Sequence, residues 1–149
     1  GSEMCIRDSR NIVDLQFSMP YQAAIAFKNG QFTVDELNED YINDELVKRL
    51  IASTTVVMDD EFERRYPAHY SSAVTITMKD GTQYTATVDD PKGDWRNPVT
   101  YEDVVNKFRY LANRTYGDSA RTEAIVEFVN SLENQPDMSK LMELVNDVR

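Results

Sequence analysis

Apolar and polar residues follow two different periods along this chain. Near the amino terminus and again after residue 100, apolar residues recur every three or four positions, which is the spacing of amphipathic helices. Between these regions, residues 73–78 and 82–88 alternate apolar and polar side chains one by one, as half-buried strands do. The order of helices, strands and helices predicts an α+β fold with an antiparallel sheet, flanked by helices at both ends.

The amino-terminal region carries signals for three helical segments. Ser18 can cap the first, Pro20 fits its first turn, and Gly30 suits its end. This segment is apolar nearly all round, so we expect it to be buried on most sides. A capping box at Thr33–Glu36 predicts the start of a second segment, and helical spacing predicts a third from about Asp44 to Ala52.

The central region predicts a sheet of about three strands. Thr54–Met58 is a short β-branched run, and Ala73–Met78 and Thr82–Val88 form two further strands joined by a tight turn. Asp89–Pro98 is rich in turn residues and predicts a loop. After it, Thr100 caps a helix, and apolar residues at helical spacing predict two more helices up to about residue 145.

The register of the turn follows from the faces of its two strands. A two-residue turn would place apolar residues opposite polar ones. A three-residue loop, with Gly81 left-handed in a bulge, instead pairs Val74 with Ala86 and Ile76 with Tyr84. Because this pairing makes one face mostly apolar, we predict the bulged hairpin.

The first nine residues, GSEMCIRDS, have a back-translation that resembles the adapter used to prepare sequencing libraries. We therefore expect residues 1–9 to be an artefact and residues 10–149 to form a single domain of a protein that continues upstream. The one cysteine, Cys5, lies in this stretch. Without it, disulfides, thiolate metal sites and a cysteine nucleophile are excluded.

The remaining composition narrows the class of protein. The chain of 149 residues has a formal net charge of −10, which disfavours nucleic acid as a partner because phosphate binding needs a basic face. No apolar run approaches the length of a membrane span, so we expect a soluble, cytoplasmic protein. Acidic small molecules would need a local cluster of cations.

Two places could carry chemistry. The amino terminus of the first helix, with Ser18 and Tyr21, could hold an anion; the alternative is that Ser18 is only a cap and Tyr21 an ordinary half-buried aromatic. The loop over residues 92–96 offers two cations, Lys92 and Arg96, and a glycine, Gly93, that lets the backbone approach a ligand; the alternative is a solvated loop with Trp95 packed on the sheet.

The only histidine, His69, has no carboxylate or second histidine at the spacing of a metal or acid–base site. The sequence therefore predicts a structural or exposed role for it. No phosphate-binding loop and no nucleophile elbow is present.

The order and spacing of several short motifs resemble the carboxyl-terminal domain of the MmgE/PrpD family, which includes 2-methylcitrate dehydratase, cis-aconitate decarboxylase and iminodisuccinate epimerase. The resemblance covers residues 11–149. It is carried by Phe17-Ser18-Met19-Pro20-Tyr21-Gln22-Ala23-Ala24, Gly30, Thr33-Val34, Tyr66-Pro67, Val74-Thr75-Ile76, Asp80-Gly81, Pro91-Lys92-Gly93-Asp94, Asn97-Pro98 and Lys107-Phe108.

This resemblance implies an architecture and a type of reaction. Family members have a large helical amino-terminal domain followed by a smaller α+β lid, and they typically form homodimers without metal or organic cofactor. The implied chemistry is that of a lyase on small di- or tricarboxylic acids, in which a proton moves at the carbon next to a carboxylate. The alternatives are an isomerase or epimerase of the same family and a non-catalytic acidic interaction module.

The resemblance also implies roles for four residues. Tyr21 matches a tyrosine whose phenol can donate a proton or hydrogen bond to substrate, and Ser18 is a second candidate for substrate binding. Lys92 and Gly93 match the lysine–glycine loop of the family, which either contacts substrate or braces the domain. Trp95 departs from the small or proline residue often found after this loop. Since the family's histidines and lysine lie in the helical domain, we expect this chain alone to be inactive.

Overall fold

A computed structural model describes residues 12–146 of the chain. These residues form two compact units, within Gly1–Ala68 and His69–Arg149, and each is described by itself below. The first unit is helical and the second combines a hairpin with helices, so the predicted α+β class is confirmed. The prediction that residues 1–9 are an artefact falls outside the described residues.

The first unit contains four α-helices and one 3-10 helix among its described residues. Their bounds are α1 Ile12–Gln16, α2 Met19–Asn29, the 3-10 helix Glu39–Asn43, α3 Glu45–Ala52 and α4 Asp60–Arg65. Helix α2 packs against α1 and α3. The buried residues at this contact are Leu15, Tyr21, Ala24, Ile25 and Val47.

Helix α2 begins and ends as the sequence predicts. The Ser18 side chain accepts a hydrogen bond from the first turn, and Gly30 ends the helix with φ 76°, in the left-handed region. The expectation that α2 would be buried on most sides is wrong, since Met19 and Phe27 are about half exposed. One face of the helix forms the core and the other is open.

The capping box at Thr33 forms its contacts but does not begin a helix. The Glu36 carboxylate accepts hydrogen bonds from the backbone N and the Oγ1 of Thr33, at 2.8 and 2.6 Å. The Thr33 hydroxyl accepts from the N of Asp35, two residues on, which closes a turn. The prediction of a second helical segment from Thr33 is therefore wrong; the 3-10 helix begins only after Asn38, which caps it.

The predicted strand Thr54–Met58 is also wrong. The N and Oγ1 of Thr54 donate to the carbonyls of Ile51 and Leu50. The first residue of the segment is therefore bonded to the last turn of α3 and not to another strand. The rest has no strand pairing among the described residues, and Val57 and Met58 are exposed. Without a pairing partner, β-branched composition alone does not form a strand.

The second unit begins with the predicted hairpin, in the predicted register. Strands β1 Ser72–Thr77 and β2 Gln83–Val88 pair antiparallel, with Val74 opposite Ala86 and Ile76 opposite Tyr84. Gly81 has φ 88° and its N donates to the carbonyl of Met78, as the three-residue loop requires. The described sheet has two strands instead of about three, and the side chains of both faces are exposed.

Three α-helices complete the second unit after a loop over residues 89–100. They are α5 Tyr101–Tyr116, α6 Ser119–Asn130 and α7 Ser139–Asn146, with a 3-10 turn Leu132–Asn134 before α7. The capping box of Thr100 and Asp103 begins α5. Helix α6 packs against α5 and α7, around Val105, Ala112, Ile125 and Phe128. None of the helices between residues 12 and 146 is both long and apolar enough to cross a membrane.

Candidate functional site

Ser18 and Tyr21 lie together at the start of α2, and both are fully buried. The Ser18 Oγ accepts a hydrogen bond of 3.3 Å from the N of Tyr21, and the Ser18 carbonyl accepts one of 3.0 Å from the N of Gln22. The serine therefore acts as a helix cap. Its hydroxyl faces the helix backbone and no open cleft.

The phenol of Tyr21 is enclosed by the first unit. Its hydroxyl donates a hydrogen bond of 2.5 Å to the backbone carbonyl of Glu36, and the edge of its ring contacts Phe32 at 6.1 Å between centroids. Burial raises the pKa of Tyr21 to about 12, because the charged phenolate would lose its hydration. Near neutral pH the group is a neutral donor that is already engaged.

The Glu36 carboxylate holds this carbonyl in place. It bonds to the backbone and side chain of Thr33 and, at 3.3 Å, to the Nε2 of Gln31. The hydrogen bond from the Thr33 side chain is the main reason that the pKa of Glu36 lies below its usual value. Ser18, Tyr21 and Glu36 thus form a connected polar network inside an apolar core.

The Lys92–Gly93 loop is braced against α5. The Nζ of Lys92 lies 2.7 Å from Oδ1 of Asp103, whose other carboxylate oxygen accepts from the N and Oγ1 of Thr100. The hydrogen bond from Lys92 is the main cause of a strongly lowered pKa at Asp103. Gly93 has φ 103°, and its N donates to the carbonyl of Asn97 at 2.8 Å. Glycine is therefore required here by backbone conformation.

His69 has a partner that the sequence does not reveal. Its Nδ1 lies 3.0 and 3.1 Å from the two carboxylate oxygens of Asp90, which is distant in sequence. His69 precedes β1 and Asp90 follows β2, so the pair closes the open end of the hairpin. The signal available in the sequence is the antiparallel register itself, which brings the residues that flank the two strands together.

Trp95 is open to solvent and is not packed on the sheet, so the alternative for the loop is wrong about this residue, although the loop is solvated as that alternative predicts. Trp95 is 77% exposed. The guanidinium of Arg96 lies over its ring, 4.3 Å from the centroid. Two carboxylates, of Asp90 and Asp94, lie 3.8 and 3.5 Å from Nη1 of the same arginine. The loop therefore exposes an indole that stacks on a guanidinium, and this guanidinium lies beside two carboxylates.

Comparison with known proteins relates the chain to a family. The sequence model of the MmgE/PrpD C-terminal domain matches residues 3–132. The chain belongs to the MmgE/PrpD family. The resemblance drawn from its motifs is therefore confirmed.

Three relatives illustrate the match to this MmgE/PrpD chain. Cis-aconitate decarboxylase of Mus musculus is 28% identical over 132 residues, which cover 89% of this chain and 27% of that protein. Cis-aconitate decarboxylase-like protein oryM of Aspergillus oryzae is 31% identical, over 88% of this chain and 27% of its own length. Cis-aconitate decarboxylase of Homo sapiens is 27% identical over the same shares as the mouse protein. The chain thus spans about a quarter of the length of these relatives.

The four residues implied by the MmgE/PrpD resemblance fall into both units. Ser18 and Tyr21 lie in the first unit, whereas Lys92 and Gly93 lie in the second. Their roles in substrate binding and catalysis stay predictions. Within residues 12–146, no three side chains of histidine, cysteine, aspartate or glutamate come together as a metal ion would require.

Proposed function

We propose that this chain is the carboxyl-terminal domain of a longer lyase that acts on a small di- or tricarboxylic acid. The observation that carries the proposal is the family match over residues 3–132. Among the activities of the family, decarboxylation of cis-aconitate has the strongest support, because the relatives cited above carry that name or one derived from it. Dehydration of 2-methylcitrate is the next candidate.

The chemistry sets out what the protein must supply. When cis-aconitate loses CO2, the bond between carbon and a carboxylate breaks and its electron pair stays with the carbon skeleton, which then takes up a proton. Catalysis needs a proton donor and cations that hold the remaining carboxylates while charge develops. The only implied donor in this chain is Tyr21, so we propose that most of the catalytic groups come from the rest of the longer protein.

Tyr21 can act as that donor only after a local change. Its hydroxyl now donates to the Glu36 carbonyl, and a phenol with a single hydrogen cannot donate to substrate at the same time. We propose that the turn over residues 33–36 moves away from Tyr21 when the longer enzyme binds substrate. Ser18 would then keep its capping role, and Lys92 would brace the loop that follows the hairpin.

The test uses the longer gene product and this chain side by side. We expect the longer protein to release CO2 from cis-aconitate and this chain alone to release none. Assays with 2-methylcitrate, for loss of water, and with a chiral substrate, for epimerisation, run in parallel. Turnover of one of these but not of cis-aconitate would replace the proposed reaction while leaving the family role intact. We also expect the longer protein to sediment as a homodimer.

A non-catalytic interaction module is the second candidate. The complete burial of Tyr21 favours it, since the one phenol implied in catalysis does not face open space among the described residues. A longer gene product that folds but turns over none of these acids, while binding another protein, would support this alternative.

A further inference from the structure

The loop after β2 places a large apolar side chain in water. Trp95 is the only tryptophan of the chain and is 77% exposed. Burying a tryptophan contributes much of the binding free energy at many protein interfaces, where tryptophan and arginine are enriched among the residues that matter most. Exposed apolar side chains are common, so exposure alone does not mark a binding surface. The hydrogen bonds that hold this loop are the second observation.

Hydrogen bonds and ion pairs within the loop hold it in one conformation. The N of Gly93 and the side chain of Asn97 bond across it, to the carbonyls of Asn97 and Asp90 at 2.8 and 2.9 Å. The Asp94 carboxylate accepts from the N of Arg96 at 2.8 Å and also lies beside its guanidinium. Arg96 in turn stacks on the indole. Little conformational entropy remains to be lost when such a loop is bound, which favours association.

The charge of the chain disfavours a second copy of the chain as the occupant of this loop. Two copies of this chain, each with a formal net charge of −10, repel one another on approach. The cited relatives, in contrast, have about three quarters of their length outside the matched region. That remainder is the natural candidate for the partner of this loop.

We infer that the Trp95–Arg96 loop is a docking surface for the larger, amino-terminal part of the longer MmgE/PrpD protein, with the indole inserted into a pocket of that part. This inference rests on one part of the proposed function, namely that the chain is a domain of a longer protein. It does not require any particular reaction.

The experiment compares this chain with the longer gene product, both labelled with 5-fluorotryptophan. The 19F resonance of Trp95 is assigned by its disappearance in Trp95→Phe. In this chain alone we expect the resonance to show the full shift between H2O and D2O that marks an exposed ring. In the longer protein we expect that shift to be lost.

Substitutions give the energetic readout. We expect Trp95→Ala to lower the melting temperature of the longer protein and to leave that of this chain unchanged, because an exposed side chain contributes little to its own fold. Arg96→Lys keeps the charge but loses the planar stack, so we expect a smaller effect in the same direction. Met142→Ala is the matched control, since Met142 is 52% exposed on α7 and lies outside the loop.

Three results would overturn the inference. The first is an H2O/D2O shift of Trp95 that persists in the longer protein. The second is a Trp95→Ala variant that melts like the parent in the longer protein. The third is a shift that disappears in this chain alone as its concentration rises, which would assign the loop to a second copy. None of these readouts uses turnover, so a failure of the proposed reaction is recognised separately.

Discussion

The hydroxyl of Tyr21 donates a hydrogen bond of 2.5 Å to the backbone carbonyl of Glu36, and the side chain of the tyrosine is fully buried. This contact joins the helix α2 to the turn that follows it. The family resemblance implies a substrate-facing phenol at this position. The structure agrees with this implied role only if Tyr21 exchanges its hydrogen bond to Glu36 for one to substrate. The strength of the bond to Glu36 therefore sets how readily Tyr21 could reach a substrate.

We expect Tyr21→Phe to destabilise the first unit by about 1–3 kcal/mol, because the buried Glu36 carbonyl loses its donor while the ring remains. Hydrogen exchange of the α2 amides measures this free energy. Tyr84→Phe is the control, since Tyr84 is 63% exposed on the hairpin and its change should leave exchange in α2 unaltered. Equal exchange in Tyr21→Phe and in the parent would show that the contact contributes nothing to stability.

In the proposed longer enzyme, the same substitution separates structure from catalysis. If Tyr21 donates a proton to substrate, kcat falls by far more than the loss of stability predicts, at temperatures where the variant is folded. Steady-state kinetics with the preferred acid provides the measurement. A Tyr21→Phe enzyme with parental kcat would limit the residue to a structural role.

The pKa of Tyr21, raised to about 12 by burial, predicts a loss of stability in alkali. The unfolded-state pKa of a tyrosine is about 10, so the neutral phenol stabilises the folded unit below pH 10. That contribution is lost as the pH rises from about 10 through 12. Circular dichroism between pH 9 and 12 measures this loss as unfolding of α2. When the stability of each protein is expressed relative to its own value at pH 7, we expect the parent to lose stability at a lower pH than Tyr21→Phe.

Lys92 holds the carboxylate of Asp103 in its charged form. We expect Lys92→Met to raise the pKa of Asp103 towards its ordinary value, because the first cause of its lowering is the hydrogen bond from Lys92. A lowered carboxyl pKa stabilises the folded state above the unfolded pKa and is lost as the pH falls through the folded one. In Lys92→Met, the free energy of unfolding of the second unit should therefore fall less than in the parent as the pH is lowered.

Carboxyl 13C NMR of Asp103 measures that pKa directly. Lys79→Met is a control of equal charge, since Lys79 is exposed in the hairpin turn, away from α5, and shares no described hydrogen bond with Asp103. A titration of Asp103 that is the same in all three proteins would show that the backbone of Thr100, and not Lys92, sets the pKa.

Local signals predicted more of this fold than long-range ones. The cap at Ser18 and the bulged register at Gly81 depend on a few neighbouring residues, and both are confirmed. The strand predicted at Thr54–Met58 needed a pairing partner from elsewhere in the chain, which composition cannot identify. The turn at Thr33 failed for a similar reason, because its capping contacts are compatible with both a helix and a turn.

In the candidate site, too, the sequence predicts local features better than contacts between distant residues. The sequence could identify Tyr21 through its motif but could not show that the Glu36 carbonyl would accept its hydrogen bond, since that acceptor belongs to the backbone of a turn. The local sequence around His69 offers no partner because Asp90 lies far along the chain, and the strand register brings the two residues together. Such a pairing becomes visible in the sequence only when the residues that flank the two predicted strands are compared across the predicted register.

The pair of His69 and Asp90 predicts a tautomer. A carboxylate only accepts hydrogen bonds, so the Nδ1 of His69 must carry the hydrogen. Because the chain has a single histidine, a 1H–15N correlation of the imidazole is free of overlap. At a pH where the ring is neutral we expect the Nδ1–H form, and in Asp90→Asn we expect this preference to weaken.

The same pair should hold the open end of the hairpin together. Residues 70–72 and 87–89 lie beside it, and His69→Ala removes both hydrogen bonds to Asp90 while leaving the turn at Gly81 intact. We expect amide exchange to accelerate at this end and to stay unchanged near the turn. Uniform acceleration along both strands would mean that the pair stabilises the whole hairpin, and no acceleration would mean that the Ser71–Asp89 hydrogen bond and the strand ladder suffice.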